Sequence, residues 1–239
     1  YIRNVYLNVN NGVEKVVEYG KDESGEEHII SQIDNGAYVE AEAFYDCASL
    51  TSVNFSGILQ WIGKNAFKGC TELIEVTIPE NVREIAAGAF ENCKGLTTIN
   101  FNAIECADAF ETIDKKARSN NVFAAAGENK SGISVRIGKS VKKIPAFLFA
   151  VSSANNPKIA ELAFADGSVC TSIGESAFQD AGATSFLKIH IAESVTKIGK
   201  NAFDGTAYYK DDNKWRDGVL YIDECLIKAA PKVSTYTYN

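Results

Sequence analysis

The chain has 239 residues, of which 46% are hydrophobic and 23% charged, with a formal net charge of −7. These are the proportions of a folded protein with an ordinary core, and the acidic balance argues against nucleic-acid binding, which calls for a basic stripe. No apolar run approaches the 18 or so residues of a membrane-spanning helix, and six cysteines are too sparse for a disulfide scaffold. The chain opens on Tyr1 with no basic-then-apolar leader. It therefore reads as a processed piece of a longer product whose targeting signal lies elsewhere.

Residues 1–32 read as an N-terminal β cap. Tyr1 to Val9 alternates apolar and polar residues, Asn10-Asn11-Gly12 signals a tight turn, and Val13 to Tyr19 can return as a second strand. Lys21 to Glu27 is a charged loop, and Ile29-Ile30 re-enters the core.

From residue 33 to 207 the sequence is organised by a repeat. Phe44-Tyr-Asp-Cys47-Ala-Ser-Leu50-Thr-Ser-Val53-Asn-Phe55 returns 23 residues later as Phe67-Lys-Gly-Cys70-Thr-Glu-Leu73-Ile-Glu-Val76-Thr-Ile78. It returns again as Phe90-Glu-Asn-Cys93-Lys-Gly-Leu96-Thr-Thr-Ile99-Asn-Phe101. A fixed period of this size means stacked coils, none able to bury its own apolar face alone.

An Ile or Val stands five residues before each anchoring Phe: Val39/Phe44, Ile62/Phe67, Ile85/Phe90, Ile144/Phe149, Ile173/Phe178 and Ile198/Phe203. The Phe is expected to begin a short helical or 3₁₀ turn, with Gly69 or Gly205 supplying a positive φ to end it. A strand follows, its apolar residues two apart on one face, and Pro79 stops one such strand. The last apolar residues of these strands (55, 78, 101, 137, 164, 191) are spaced 23, 23, 36, 27 and 27 apart. The largest insertion covers Asp108 to Asn121, with Phe110 as an extra apolar contact and Phe123 resuming the anchor role. Val151 to Pro157 is a second loop. Residues 208–239 read as a loop, a hairpin turning at Asp223-Glu224, and the start of another coil or a tail, continuous with the solenoid.

The words Ile-Gly-x-x-Ala-Phe and Cys-x-x-Leu-x-x-Ile-x-Ile-Pro, cycling at about 23, resemble the BspA-type leucine-rich repeat family. Ile62-Gly-Lys-Asn-Ala-Phe67-Lys-Gly-Cys70-Thr-Glu-Leu73-Ile-Glu-Val76-Thr-Ile78-Pro79 carries nearly the whole pattern. The likeness extends over about residues 33 to 228. It departs where Pro145 replaces the Gly and where the later coils lack the phase-locked Cys. The resemblance implies a curved right-handed solenoid, mainly β, secreted or displayed on a bacterial surface. It further implies an adhesin or protein-interaction module and not an enzyme.

Strand alternation nominates an outward wall: Ser52 and Asn54, Glu75 and Thr77, Thr98 and Asn100, then Arg136, Lys188 and His190. Such a polar face suits a weak contact with a protein or glycan ligand, for example a host matrix protein, and it also suits plain water. Tyr208, Tyr209 and Trp215 form an aromatic group that either covers the last coils or anchors a ligand. Phase-locked Cys47, Cys70 and Cys93 read as free thiols filling the core. Cys106, Cys170 and Cys225 lie off that phase without a catalytic signature around them. No zinc spacing, EF-hand or phosphate loop is present, so no cofactor or metal is expected. A monomeric interaction module is the favoured reading, and a passive spacer in a larger surface protein is the alternative.

Overall fold

The computed structural model describes residues 4–6, 19–21, 27–29, 37–113, 116–152 and 155–230. Within them the chain winds into a β-solenoid, as the repeat requires. Seven strands line one side in a parallel sheet: Asn4–Tyr6, Ser52–Asn54, Glu75–Ile78, Thr98–Phe101, Ile133–Ile137, Ile159–Phe164 and Lys188–Ile189. Their register matches the sequence spacing. Val76 pairs with Ile99, Ile99 with Val135, Val135 with Leu162, and Leu162 with Ile189.

The opposite side carries two short parallel sheets, each strand of which ends at the residue five before an anchoring Phe. One comprises Ala37–Val39, Leu59–Ile62 and Glu84–Ile85; the other comprises Lys143–Ile144, Ser172–Ile173 and Lys197–Ile198. Between them the backbone at 107–109 acts as a bridge. Ala107 N–H donates to the Arg83 carbonyl, and Ala109 N–H donates to that of Ala146, each at 2.8 Å.

The anchoring phenylalanines form a continuous stack along the axis. Ring centroids of Phe44, Phe67, Phe90, Phe123, Phe149, Phe178 and Phe203 follow one another at 4.9–5.4 Å. All seven are fully buried. The coil spacing of about 4.8 Å sets this distance, and successive rings lie close to parallel, within the offset-stacking range of aromatic pairs.

The turns holding these rings are not helical, contrary to the sequence expectation. Among the described residues the helices are Ala207–Lys210 and the 3₁₀ turn Asp212–Lys214. Around Phe44, Phe67, Phe90 and Phe178, alternate N–H groups leave the coil and donate to the next one. Glu42, Phe44 and Asp46 donate to Lys64, Ala66 and Lys68 carbonyls, and Asn65, Phe67 and Gly69 to those of Ala87, Ala89 and Glu91. Six of the seven anchors carry a left-handed residue two before and two after the Phe, and Phe149 carries only the one before it, Phe147. Glu42/Asp46, Asn65/Gly69, Gly88/Asn92, Asn121/Ala125, Ser176/Asp180 and Asn201/Gly205 all have φ between +51° and +81°. Asn, Asp and Gly dominate there because they tolerate this region best. The turns are thus a third ladder between coils, and a helix would spend the same amides internally.

The insertion forms an antiparallel hairpin, Phe110–Ile113 with Lys116–Ser119. Phe110 packs against Phe147 at 5.5 Å, and Asp108 accepts from Lys143 Nζ and the Ala146 N–H. At the N-terminal end, Asn4–Tyr6 joins the main sheet beside Ser52–Asn54, and Tyr19–Lys21 pairs antiparallel with Glu27–Ile29. The expected Asn10–Gly12 turn, most of the Val13–Tyr19 strand and the residues after 230 lie outside the described residues.

Candidate functional site

The seven-stranded sheet sends alternate side chains outward, and its parallel register aligns them in rows. Ser52 stands beside Glu75, Glu75 beside Thr98, Thr98 beside Ser134, Ser134 beside Glu161, and Glu161 beside Lys188. In the second row Thr77 stands beside Asn100, Asn100 beside Arg136, and Arg136 beside Ala163. Asn54 and His190 hold the same phase on the first and last of these coils. The inward neighbours Val53, Val76, Ile99, Val135 and Leu162 are buried, which locks the outward set on one face.

The rows carry their own hydrogen bonds. Asn100 Nδ2 donates to Glu75 Oε1 at 2.6 Å and to Thr77 Oγ1 at 3.0 Å. Ser134 Oγ donates to Glu161 Oε2 at 3.4 Å. Asn54, Glu75, Thr77, Arg136, Lys188 and His190 are exposed, whereas Ser52, Thr98 and Asn100 are half-buried. Along the wall the acidic Glu75 and Glu161 alternate with the basic Arg136 and Lys188. The structure therefore brings the nine nominated wall residues onto one polar surface, where Asn100 braces Glu75 and Thr77.

The aromatic group sits elsewhere, on the turn side of the last anchor. Tyr208 donates through its hydroxyl to the Tyr221 carbonyl at 3.1 Å, and Trp215 Nε1 donates to the Tyr209 carbonyl at 2.9 Å. Tyr209 and Trp215 meet edge to face at 5.4 Å, and all three residues are half-buried. Their segment is tied to the solenoid by Tyr208 N–H donating to the Phe186 carbonyl and by the Lys228–Asp204 ion pair at 2.8 Å. Asp211 directs its Oδ1 at the Asn213 amides, capping the 3₁₀ turn. No cluster of three or more His, Cys, Asp or Glu among the described residues is arranged to hold a metal ion.

All six thiols are free. Cys70 Sγ donates to the Phe44 carbonyl at 3.2 Å and Cys93 Sγ to that of Phe67 at 3.1 Å. They point back along the stack and not at each other. Burial pushes the Cys106 thiol up to about 12, and burial likewise raises Cys70, Cys93, Cys170 and Cys225 above the ordinary thiol value. A thiolate nucleophile needs the opposite shift, so none of these groups is prepared for nucleophilic catalysis.

Two surface features escaped the sequence reading. Trp61 lies exposed on the opposite side of the solenoid, paired in register with Tyr38 and Glu84. Its outward aim followed from its place next to the inward Ile62. The second is a groove at the C-terminal end, between residues 190–198 and the hairpin turn. It depends on where the hairpin docks, which no local pattern encodes.

A family model described as a BspA type leucine-rich repeat region matches in six copies, over residues 30–123 and 109–210. Three solved structures are similar in shape. A leucine-rich repeat protein from T. pallidum aligns at 25% identity and TM-score 0.49, covering 82% of this chain and 89% of that one. A leucine-rich cell surface protein from Faecalibacterium prausnitzii aligns at 22% identity and TM-score 0.46, covering 91% and 57%. A leucine-rich repeat protein from Bacteroides ovatus aligns at 20% identity and TM-score 0.42, covering 72% and 44%. No functionally curated protein matches the chain. The family model spans most of the sequence, and the chain belongs to the BspA-type leucine-rich repeat family.

Proposed function

We propose that the chain is a non-enzymatic interaction module displayed outside a bacterial cell, and that it contacts a protein or glycan ligand through its polar wall. The observation that carries this reading is the alignment of Glu75, Thr77, Thr98, Asn100, Arg136, Lys188 and His190 on one rigid sheet face. Repeat solenoids bind through such extended surfaces. The short side chains of Thr77, Thr98 and Asn100 lose little conformational freedom on contact, and the stacked coils beneath hold the rows in register. Membership of a leucine-rich repeat family supports an interaction role over catalysis. A location outside the cell rests on the family resemblance, and a host matrix protein or glycan fits that location.

The test is a binding screen of the purified monomer against matrix proteins and glycans, with an Asn100→Ala/Arg136→Ala variant run beside it. Saturable binding that the variant loses establishes the wall as the ligand face. Binding that survives the variant moves the contact to the Tyr208, Tyr209 and Trp215 segment or to the Phe110 hairpin. Absence of binding favours a spacer within a larger surface protein.

A further inference from the structure

The solenoid closes unevenly at its C-terminal end. Lys188–Ile189 is the last strand of the main sheet, and Lys197–Ile198 is the last of its sheet on the opposite side. Their backbone bonds run back to the preceding coil: His190 N–H donates to the Leu162 carbonyl at 3.0 Å, and Gly199 N–H to that of Ile173 at 2.8 Å. Among the described residues the chain builds no further wall strand after the Phe203 turn. It forms the hairpin Val219–Ile222 with Cys225–Ala229 instead. This hairpin and the Ala207–Lys210 helix cover the phenylalanine side of the last coil, and among the described residues no strand pairs with the other side.

The opening is a groove of about 680 Å³, within the range of pockets that take a ligand. Ile191, Ala192, Val195, Ile198 and Leu226 give it apolar walls, and Leu226 remains 40% exposed. Its rim is acidic, with Glu193, Asp223 and Glu224 against the single imidazole of His190. Asp223 already does part of what a next coil would do. Its Oδ2 accepts the Ile191 N–H at 2.7 Å, in place of a strand carbonyl, and lies 3.2 Å from His190 Nδ1.

We propose that this groove is a docking site for a basic, extended segment of a protein partner. The segment continues the interrupted stack, pairing its backbone with the open strand edges. Alternate apolar side chains fill the space over Ile191, Val195 and Ile198, and lysine or arginine side chains between them meet Glu193, Asp223 and Glu224. Charge selects this occupant over a second copy of the chain, whose net charge of −7 repels the same rim. The groove meets the polar wall at His190, but its acidic rim and open edge lie beyond the Asn100 and Arg136 positions, and the proposal stands whether or not the wall binds.

The experiment titrates the full chain with a fluorescent, end-capped peptide alternating lysine and valine, at low and at moderate salt. An alternating glutamate–valine peptide and a lysine–valine peptide N-methylated at every second residue serve as comparisons. The proposal expects saturable binding of the first peptide alone, weakened about tenfold or more by salt and by the Glu193→Gln/Asp223→Asn/Glu224→Gln variant. Asn at 223 keeps an acceptor for Ile191, and a thermal scan confirms that the variant remains folded. If the variant proves unstable, the salt dependence and the N-methylated peptide decide the matter on the native chain. Equal binding of the glutamate–valine peptide, indifference to the triple variant or to N-methylation, or no binding at low salt would each overturn the proposal. Self-association of the native chain that the variant abolishes would also overturn it, by making a second copy the occupant.

Discussion

Phe67 and Phe90 stand 23 residues apart in sequence, and their ring centroids are 5.2 Å apart with planes 4° from parallel. One turn of the repeat has become one step of an aromatic column. Phe67 is sandwiched between Phe44 and Phe90, so removing it opens a cavity that neighbouring coils cannot collapse into without breaking three backbone ladders. Phe67→Ala is expected to cost about 3–5 kcal/mol in denaturant unfolding, as large core truncations do. Phe110 lies on the inserted hairpin, is 37% exposed and touches Phe147. Phe110→Ala should cost about 1 kcal/mol or less. Equal losses at the two sites would contradict the stack as the main support of the fold.

The left-handed positions flanking each Phe give a second prediction. Asn92 has φ +59° and donates its N–H to the Ala124 carbonyl. Asn92→Ala places an ordinary side chain in that region, at a cost of about 1 kcal/mol. Asn92→Gly should be neutral within a few tenths of a kcal/mol. Urea midpoints of the two variants check this, and an unchanged midpoint for Asn92→Ala would mean that the backbone there can relax.

Much of the fold was legible because solenoid packing is periodic. The spacing of Val76, Ile99, Val135, Leu162 and Ile189 gave the strand register directly, including the long step over the insertion. The helical turns at the Phe anchors were misjudged because Gly69 was read as a terminator of one helix. It is one of a pair of left-handed residues, with Asn65, that aims Phe67 N–H at the next coil. The wall residues could be nominated from alternation alone, since Val53 and Val76 must face the core. The bonds joining Asn100 to Glu75 and Thr77 depend on side-chain reach across coils, which no single strand reveals. The end groove depends on the docking of Asp223 against Ile191, residues 32 apart in a segment with no repeat.

Buried thiols make stability depend on pH in one direction. A raised pKa means that the folded chain holds its proton where the unfolded chain releases it. The stabilisation is therefore complete below the unfolded thiol value, about 8.5. It declines as pH rises from there toward the folded value of about 12 for Cys106. Between pH 8 and pH 10 the native chain should lose about 2 kcal/mol more than Cys106→Ala. Urea unfolding under reducing conditions at both values measures the difference. Parallel losses would show that Cys106 ionises freely in the folded state.

Wall substitutions should separate binding from stability. Asn100 and Arg136 sit outside the core, so Asn100→Ala/Arg136→Ala should change the unfolding free energy by about 1 kcal/mol or less. A thermal scan gives the comparison. A larger loss would mean that the cross-coil bonds of Asn100 help hold the sheet together.

The central claim is that the sheet face binds a ligand. Its most direct measurement is the affinity of the native chain for a ligand that saturates it, compared with that of the folded Asn100→Ala/Arg136→Ala variant. A Trp61→Ala variant, in the sheet on the opposite side of the solenoid, serves as the control. The account predicts a loss of about tenfold or more in the wall variant, as for hydrogen-bonding residues at a contact, and none in the control. Unchanged affinity in the wall variant would contradict it.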